Sequence, residues 1–468
     1  MFFRQRFIPG LAIYSYLIGD EKTRECAVID PARDIDAYFQ MAHEEGMQIN
    51  HILETHVHAD YVSGSVEVKH RTGGKAQIHA SGMGGKEWTP PYADHVVKDG
   101  DEVVMGSIRI KAMHTPGHTP EHLVWLVFDH TRSQDTPWMM FSGDFLFVGD
   151  VGRPDLLGEE ARKQLASQLY QSVFKTMPAL ADFTEFYPGH GAGSLCGKAL
   201  GTRGSSTLGF ERRFNDALKT STEQAWINQL LEGMPTAPPY FLKMKAVNAA
   251  GPQVLGHEWP GQRRLSAKQF QMQTSKGGLV LDLRSKEAFA AAHIPNALSI
   301  PLASNVSSWA GWVVPYDQPL YLVMEDMNKV QEAITHLIRI GFDNIQGTLD
   351  GGMEAWENAG LPVATLSVQS VHDLHRQLKS KAGELTVLDV RTPREWQSGH
   401  IEGAQHIHAG LLQKNINSIN RKKPVAVVCG TGYRGSIAGS ILLREGLTNV
   451  TNVLGGMTAW KAAELPVV

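Results

Sequence analysis

The chain has 468 residues, 42% hydrophobic and 20% charged, which exceeds one hydrophobic core and predicts two to four globular domains. A formal net charge of −4 and a pI near 6.6 leave no basic footprint for nucleic acid or an anionic membrane. No apolar run approaches the roughly 20 residues that span a bilayer. Three cysteines, an odd number far apart, cannot build a disulfide framework, so a reducing cytoplasmic setting is expected. The opening Met1–Arg6 has the charge of a signal peptide, yet no small-residue cleavage site follows. Leu11–Ile18, the polar Gly19–Lys22 and Glu25–Asp30 read instead as an opening hairpin.

An apolar run from Ile49 then feeds Thr55-His56-Val57-His58-Ala59-Asp60-Tyr61. In extended chain His56 and His58 would share one side of a strand exit, and two imidazoles with a carboxylate can nest a metal. Among 20 histidines a lone His-x-His carries little weight. Three later segments add to it. His114–Pro120 is a Gly/Pro turn with histidines His114 and His118, Asp144 ends the apolar run Trp138–Phe141, and His190 follows the strand-like Phe186–Pro188. Their order and chemistry resemble the metallo-β-lactamase superfamily over roughly residues 1–200, which implies an αββα fold. In that superfamily a further histidine usually follows the aspartate and helps hold a second metal. Here Tyr61 stands in its place, and a neutral phenol is a poor ligand, so one metal is expected.

Past the segment Gly204–Pro260, read as the end of the first domain and a linker, the chain repeats itself. Leu281-Asp282-Leu283-Arg284 recurs as Leu388-Asp389-Val390-Arg391, 107 residues on, and the Gly-Gly-Met of 351–353 recurs at 455–457. A period this long means two tandem domains, and alternating strands and helices predict a mostly parallel α/β sheet in each. The expected boundaries are 1–245, 246–365 and 366–468. The Asp-x-Arg, His-Ile-x-x-Ala and Gly-Gly landmarks resemble the rhodanese fold. In the second copy its active loop is Cys429-Gly430-Thr431-Gly432-Tyr433-Arg434. Converging backbone N–H groups and a helix N-terminus favour a thiolate at Cys429, with Arg434 closing the loop. Phosphatases of related fold use a loop one residue longer, so this one suits a sulfane sulfur. The first copy has Met324 where Cys429 stands, followed by Glu325 and Asp326, and is expected to be inert in sulfur transfer.

Two histidines and one carboxylate, His56, His118 and Asp144, form the donor set associated with mononuclear non-haem iron. The set, together with the Gly-Arg-Pro-Asp turn at 152–155, resembles that of persulfide dioxygenases. That resemblance implies one Fe(II) per chain, with zinc as the alternative metal. It implies a small-molecule persulfide such as glutathione persulfide and O2 as substrates and sulfite as product. It also implies that His58, Asp60 and His190 surround the ligands rather than bind the metal. Arg153 is read either as a clamp for a substrate carboxylate or as half of an Arg–Asp pair in a turn. Cys196 is read either as a persulfide relay, with Lys198 favouring its thiolate, or as a buried thiol; Cys26 reads as core. The whole chain resembles persulfide dioxygenase–rhodanese fusions of bacterial sulfide detoxification, in which sulfite and Cys429–S–S⁻ would give thiosulfate. The competing readings are a zinc thioester hydrolase of the glyoxalase II type with accessory rhodanese domains, and a sulfur sensor. A homo-oligomer is compatible with all of them.

Overall fold

A computed structural model describes residues 1–219, 222–380 and 383–468. The chain divides into two compact units, Met1–Glu258 with Ile338–Gly341, and Trp259–Leu337 with Phe342–Val468.

The first unit is built on two six-stranded sheets. One runs in simple order through β1 (Phe2–Ile8), β2 (Ile13–Asp20), β3 (Glu25–Ile29), β4 (Gln48–Leu53), β5 (Gln77–Ser81) and β6 (His95–Val97). Its first three strands are antiparallel, so the expected hairpin is present as β2–β3 with one further strand before it. The other sheet comprises β7 (Glu102–Met105), β8 (Ile108–His114), β9 (Leu123–Asp129), β10 (Met139–Gly143), β13 (Glu185–Pro188) and β14 (Ser206–Thr207), while β11 (Leu146–Phe147) and β12 (Asp150–Val151) pair separately.

Tyr16, Ile18, Ile29 and Leu53 of one sheet pack against Ile110, Trp125, Val127 and Phe141 of the other. Helices cover both outer faces: Tyr38 and Val68 lie on the first sheet, Leu169 and Trp226 on the second. The αββα expectation is met. It also explains why β9, Leu-Val-Trp-Leu-Val-Phe-Asp, is buried throughout rather than alternating, since both of its faces are covered. The unit runs past the boundary expected at residue 245, because helix Tyr240–Ala250 belongs to it.

The second unit holds the repeat. Its sheets run β15 (Arg264–Leu265), β19 (Ile345–Leu349), β18 (Leu320–Val323), β16 (Leu279–Asp282), β17 (Leu298–Ser299), and β20 (Ser367–Gln369), β24 (Val450–Val453), β23 (Val425–Val428), β21 (Thr386–Asp389), β22 (Gln405–His406). The two orders are the same, and every pairing is parallel. The Asp-x-Arg landmark is a buried ion pair in each copy, with Arg284 on Asp282 and Arg391 on Asp389, both at 2.6 Å. Among the described residues no helix is long and apolar enough to cross a membrane.

Candidate metal centre and thiol loop

The first unit delivers its metal candidates from strand ends. His56 follows β4, His118 lies in the turn between β8 and β9, and Asp144 directly follows β10. All three are buried and offer ligand atoms within 4.8 Å of one another. Asp144 Oδ2 stands 3.4 Å from His118 Nε2 and 4.0 Å from His56 Nε2.

The surroundings set which nitrogen each ring presents. His118 Nδ1 donates to the Arg153 carbonyl at 2.9 Å, so Nε2 carries the lone pair. Thr55 spends its hydroxyl proton on Asp30 Oδ2, so its oxygen accepts from His56 Nδ1 at 2.9 Å and again frees Nε2. Burial, with the neighbouring imidazoles, holds His56 well below its ordinary pKa, and burial lowers His118 as well. Neutral imidazoles are the ligand form. Asp144 Oδ2 is buried with no hydrogen-bond partner, and the burial penalty on its carboxylate is outweighed chiefly by the charged His190, which keeps it ionised. An orphaned carboxylate oxygen facing two unprotonated imidazole nitrogens fits a divalent metal.

His190 is spent elsewhere. Its Nδ1 donates to Asp144 Oδ1 at 2.6 Å and its Nε2 to Asp60 Oδ2 at 2.7 Å. Burial opposes a charged ring there, but the Asp144 and Asp60 carboxylates more than offset it and raise His190 well above the ordinary range. Gly189 permits this approach, since a Cβ there would lie 2.6 Å from Asp144 Oδ1. His122 adds a further brace, accepting the Asp144 backbone N–H at 3.0 Å. His114 instead bonds the Pro120 carbonyl and shapes the turn.

His58 departs from the expected shared side. Beyond Leu53 the chain is no longer strand, so the two-residue alternation lapses. The rings of His56 and His58 lie 4.2 Å apart, but His58 Nε2 turns to Asp30 Oδ1 at 3.1 Å and Glu54 Oε2 at 3.2 Å. Burial alone would discharge it, yet these carboxylates push it up to about 10. Tyr61 is buried and its hydroxyl donates to the Asp30 carbonyl at 3.2 Å.

Of the substrate candidates, Arg153 takes its Arg–Asp alternative and Lys198 is corrected. Arg153 is 1% exposed and pairs bidentately with Asp155, while also donating to the Leu195 and Pro235 carbonyls. It is a structural pin, with four of its five N–H donors spent on the protein. Lys198 reaches the carbonyls of Gln229 and Glu232 instead of flanking Cys196. Cys196 does lie beside Asp60 and His190, but burial pushes its thiol up to about 12, which disfavours the thiolate that a relay needs. Cys26 is fully buried, as expected of core.

Sequence reasoning missed Asp30, Glu54, Glu121 and Asn248. Asp30 carried a signal, an acid closing a buried apolar strand as Asp144 does. Asn248 carried none: its amide donates at 2.7 Å to the carbonyls of both His58 and Tyr61, from a helix far along the chain.

In the second unit Cys429 follows β23, and the N–H groups of Gly432 and Gly435 donate to its Sγ at 3.0 and 3.3 Å. The loop opens helix Tyr433–Arg444, whose N-terminal dipole faces the sulfur. The Gly-Gly landmark is explained by space. Gly456 has φ of +50° and a Cβ there would fall 2.2 Å from the Cys429 carbonyl oxygen. Arg434 does close the loop, but both its terminal nitrogens donate to Glu395 at 2.6 Å. Met324 occupies the matching place after β18, buried, as expected.

Comparison with known proteins agrees with this division. The sequence model of the metallo-β-lactamase superfamily matches residues 8–190, and that of the rhodanese-like domain matches 266–359 and 370–463. The mitochondrial persulfide dioxygenase ETHE1 of Bos taurus is 31% identical over 224 residues, 47% of this chain and 77% of that protein. A probable metallo-hydrolase of Burkholderia pseudomallei is 32% identical over 212 residues, 39% of this chain and 70% of that protein. A crystal structure titled as a metallo-beta-lactamase from Staphylococcus aureus superposes with a TM-score of 0.66 at 37% identity, covering 75% of this chain and 98% of that one. The chain belongs to the metallo-β-lactamase superfamily, in its persulfide dioxygenase branch, and carries two tandem rhodanese-like domains.

Proposed function

We propose that the first unit oxidises a low-molecular-weight persulfide with O2 to sulfite at one Fe(II) held by His56, His118 and Asp144. The observation that carries this is the unpartnered Asp144 Oδ2 facing two imidazole nitrogens, while Oδ1, His190 and Asp60 are consumed by one another. Two histidines and one carboxylate leave other positions open, and the iron they hold would supply redox activation of O2 and a place for the persulfide sulfur. Net, RSSH + O2 + H2O gives RSH + SO3²⁻ + 2H⁺. Similarity to proteins named persulfide dioxygenases supports the substrate class. The protein's part is positional: Thr55 and the Arg153 carbonyl fix the imidazole tautomers, and His190 holds the carboxylate.

Cys429 is proposed to carry sulfane sulfur. Sulfite would attack the outer sulfur of Cys429–S–S⁻, giving thiosulfate and returning the Cys429 thiolate, whose charge the Gly432 and Gly435 N–H groups receive. Sulfide detoxification in the cytoplasm is the setting proposed for the pair of activities.

A zinc thioester hydrolase is the second reading, favoured by the proximity of Asp60, His190 and Cys196 as a second donor group. Protein purified without air should contain about one iron per chain and consume O2 on addition of glutathione persulfide. Two zincs per chain with thioester cleavage and no O2 uptake would overturn the proposal.

A further inference from the structure

The Cys429 loop has an electrostatic deficit. If sulfite or thiosulfate is its partner, as the sulfur-transfer reading holds, the loop must receive an anion. Its own cation is committed, because Arg434 faces the Glu395 carboxylate with two donors at 2.6 Å. His408 does not help. Burial, then Arg434, push it down to about 4, and it packs against Trp309 and Trp312 of the cysteine-less copy, with ring centroids 5.9 and 5.1 Å away.

A second cation reaches the loop from that same copy. Lys286 opens helix Lys286–Ala291, and its Cε lies 3.3 Å from where a Cβ on Gly432 would stand. Gly432 is one of the two residues whose N–H groups donate to Cys429 Sγ, so Lys286 lies across the rim of the thiol site. Its charge is shared with Glu287, an exposed neighbour with Oε1 at 2.8 Å, an arrangement that an incoming anion can displace. Glu325 nearby is held by the Ser285 N–H.

The placement is enforced. Tyr433, the first residue of the helix after the loop, donates its hydroxyl to the Pro301 carbonyl at 3.0 Å. Ser299 N–H donates to Ser440 Oγ at 3.0 Å, the Ser299 and Ser436 hydroxyls lie 2.9 Å apart, and Arg444 donates to the Asn296 carbonyl. The helix that carries the thiol loop is thus docked along the copy that has Met324 in place of the cysteine.

We propose that Lys286, supplied by the cysteine-less copy, determines the preference of the Cys429 site for anionic sulfur donors and acceptors. The inert copy then has a chemical role as the second wall of the active one.

The test uses the full chain and two alkylating reagents of similar size, anionic iodoacetate and neutral iodoacetamide, with the Cys429 adduct followed by peptide mass. In Lys286→Ala the iodoacetate-to-iodoacetamide rate ratio should fall about threefold to tenfold, the range for one partly screened charge beside the loop. Lys286→Arg should keep the ratio, and Glu287→Gln should raise it. The KM for thiosulfate should rise in Lys286→Ala with kcat preserved. An unchanged ratio, or equal loss with both reagents, would overturn the proposal. If wild-type Cys429 never accepts sulfur from thiosulfate, the sulfur-transfer reading fails, while the alkylation ratio still reports on Lys286.

Discussion

Asp60→Asn separates the one-metal and two-metal descriptions of the first unit. In the one-metal arrangement Asp60 touches no metal; it receives His190 Nε2 at 2.7 Å, and His190 in turn holds Asp144 Oδ1 at 2.6 Å. An asparagine oxygen can still accept from Nε2, so the fold and the ring position should survive. What goes is the negative charge that, with Asp144, keeps His190 protonated against its burial. A hydrogen bond to a charged group contributes about 1.5–3 kcal/mol. Passed on through the brace to Asp144, that is about 10- to 100-fold in metal affinity, the usual range for residues that orient ligands. Fe(II) titration against a chelating indicator, without air, measures it. The expected outcome is one iron per chain in both proteins, bound more weakly in the variant. If the wild type holds two metals and the variant one, Asp60 is a ligand and the one-metal arrangement is refuted. An unaltered affinity in a folded variant would refute the brace.

Other outcomes follow from the same geometry. Cys429→Ser should abolish sulfur transfer while leaving O2 uptake intact, and Met324→Cys should not restore transfer, because the Glu325-Asp326 loop lacks the glycines that present N–H groups to sulfur; a thiosulfate–cyanide assay reads both. Arg153→Ala should lower unfolding stability by about 3–5 kcal/mol, since it strands a carboxylate in a part-buried pair, and thermal melting of the isolated metal-free protein checks it. A selective KM effect for carboxylate-bearing persulfides with unchanged stability would reinstate Arg153 as a substrate clamp. Glu395, held down to about 2 chiefly by Arg434 and Thr392 against its burial, stabilises the loop above its unfolded pKa. That stability should be lost as pH falls from about 4.5 toward 2, and Glu395→Gln should flatten this part of the stability–pH curve.

Much of the fold was readable from local pattern. The repeat landmarks announced two matching sheets, apolar strands ending in histidine or aspartate announced His56 and Asp144, and a Gly/Pro turn announced His118. In the structure Thr392 and Glu395 form a capping box at the start of helix Pro393–Gln397. The second role of Glu395, neutralising Arg434, was not legible, because the two residues meet only after the chain has passed through β22 and β23.

By itself the sequence determined which residue types end which strands, that two domains repeat, and that only one repeat retains a thiol. Those features are local, written in spacing and periodicity. Only the tertiary structure decided how the polar groups pair. Arg153 had two readings and takes the Arg–Asp pair, Lys198 was read beside Cys196 and is tied elsewhere, His58 was read on one side with His56 and serves Asp30 and Glu54, and Lys286, which drew no reading, reaches the other copy's loop. Each outcome depends on which groups are brought within reach, a distance set by sheet packing and helix docking rather than by separation along the chain.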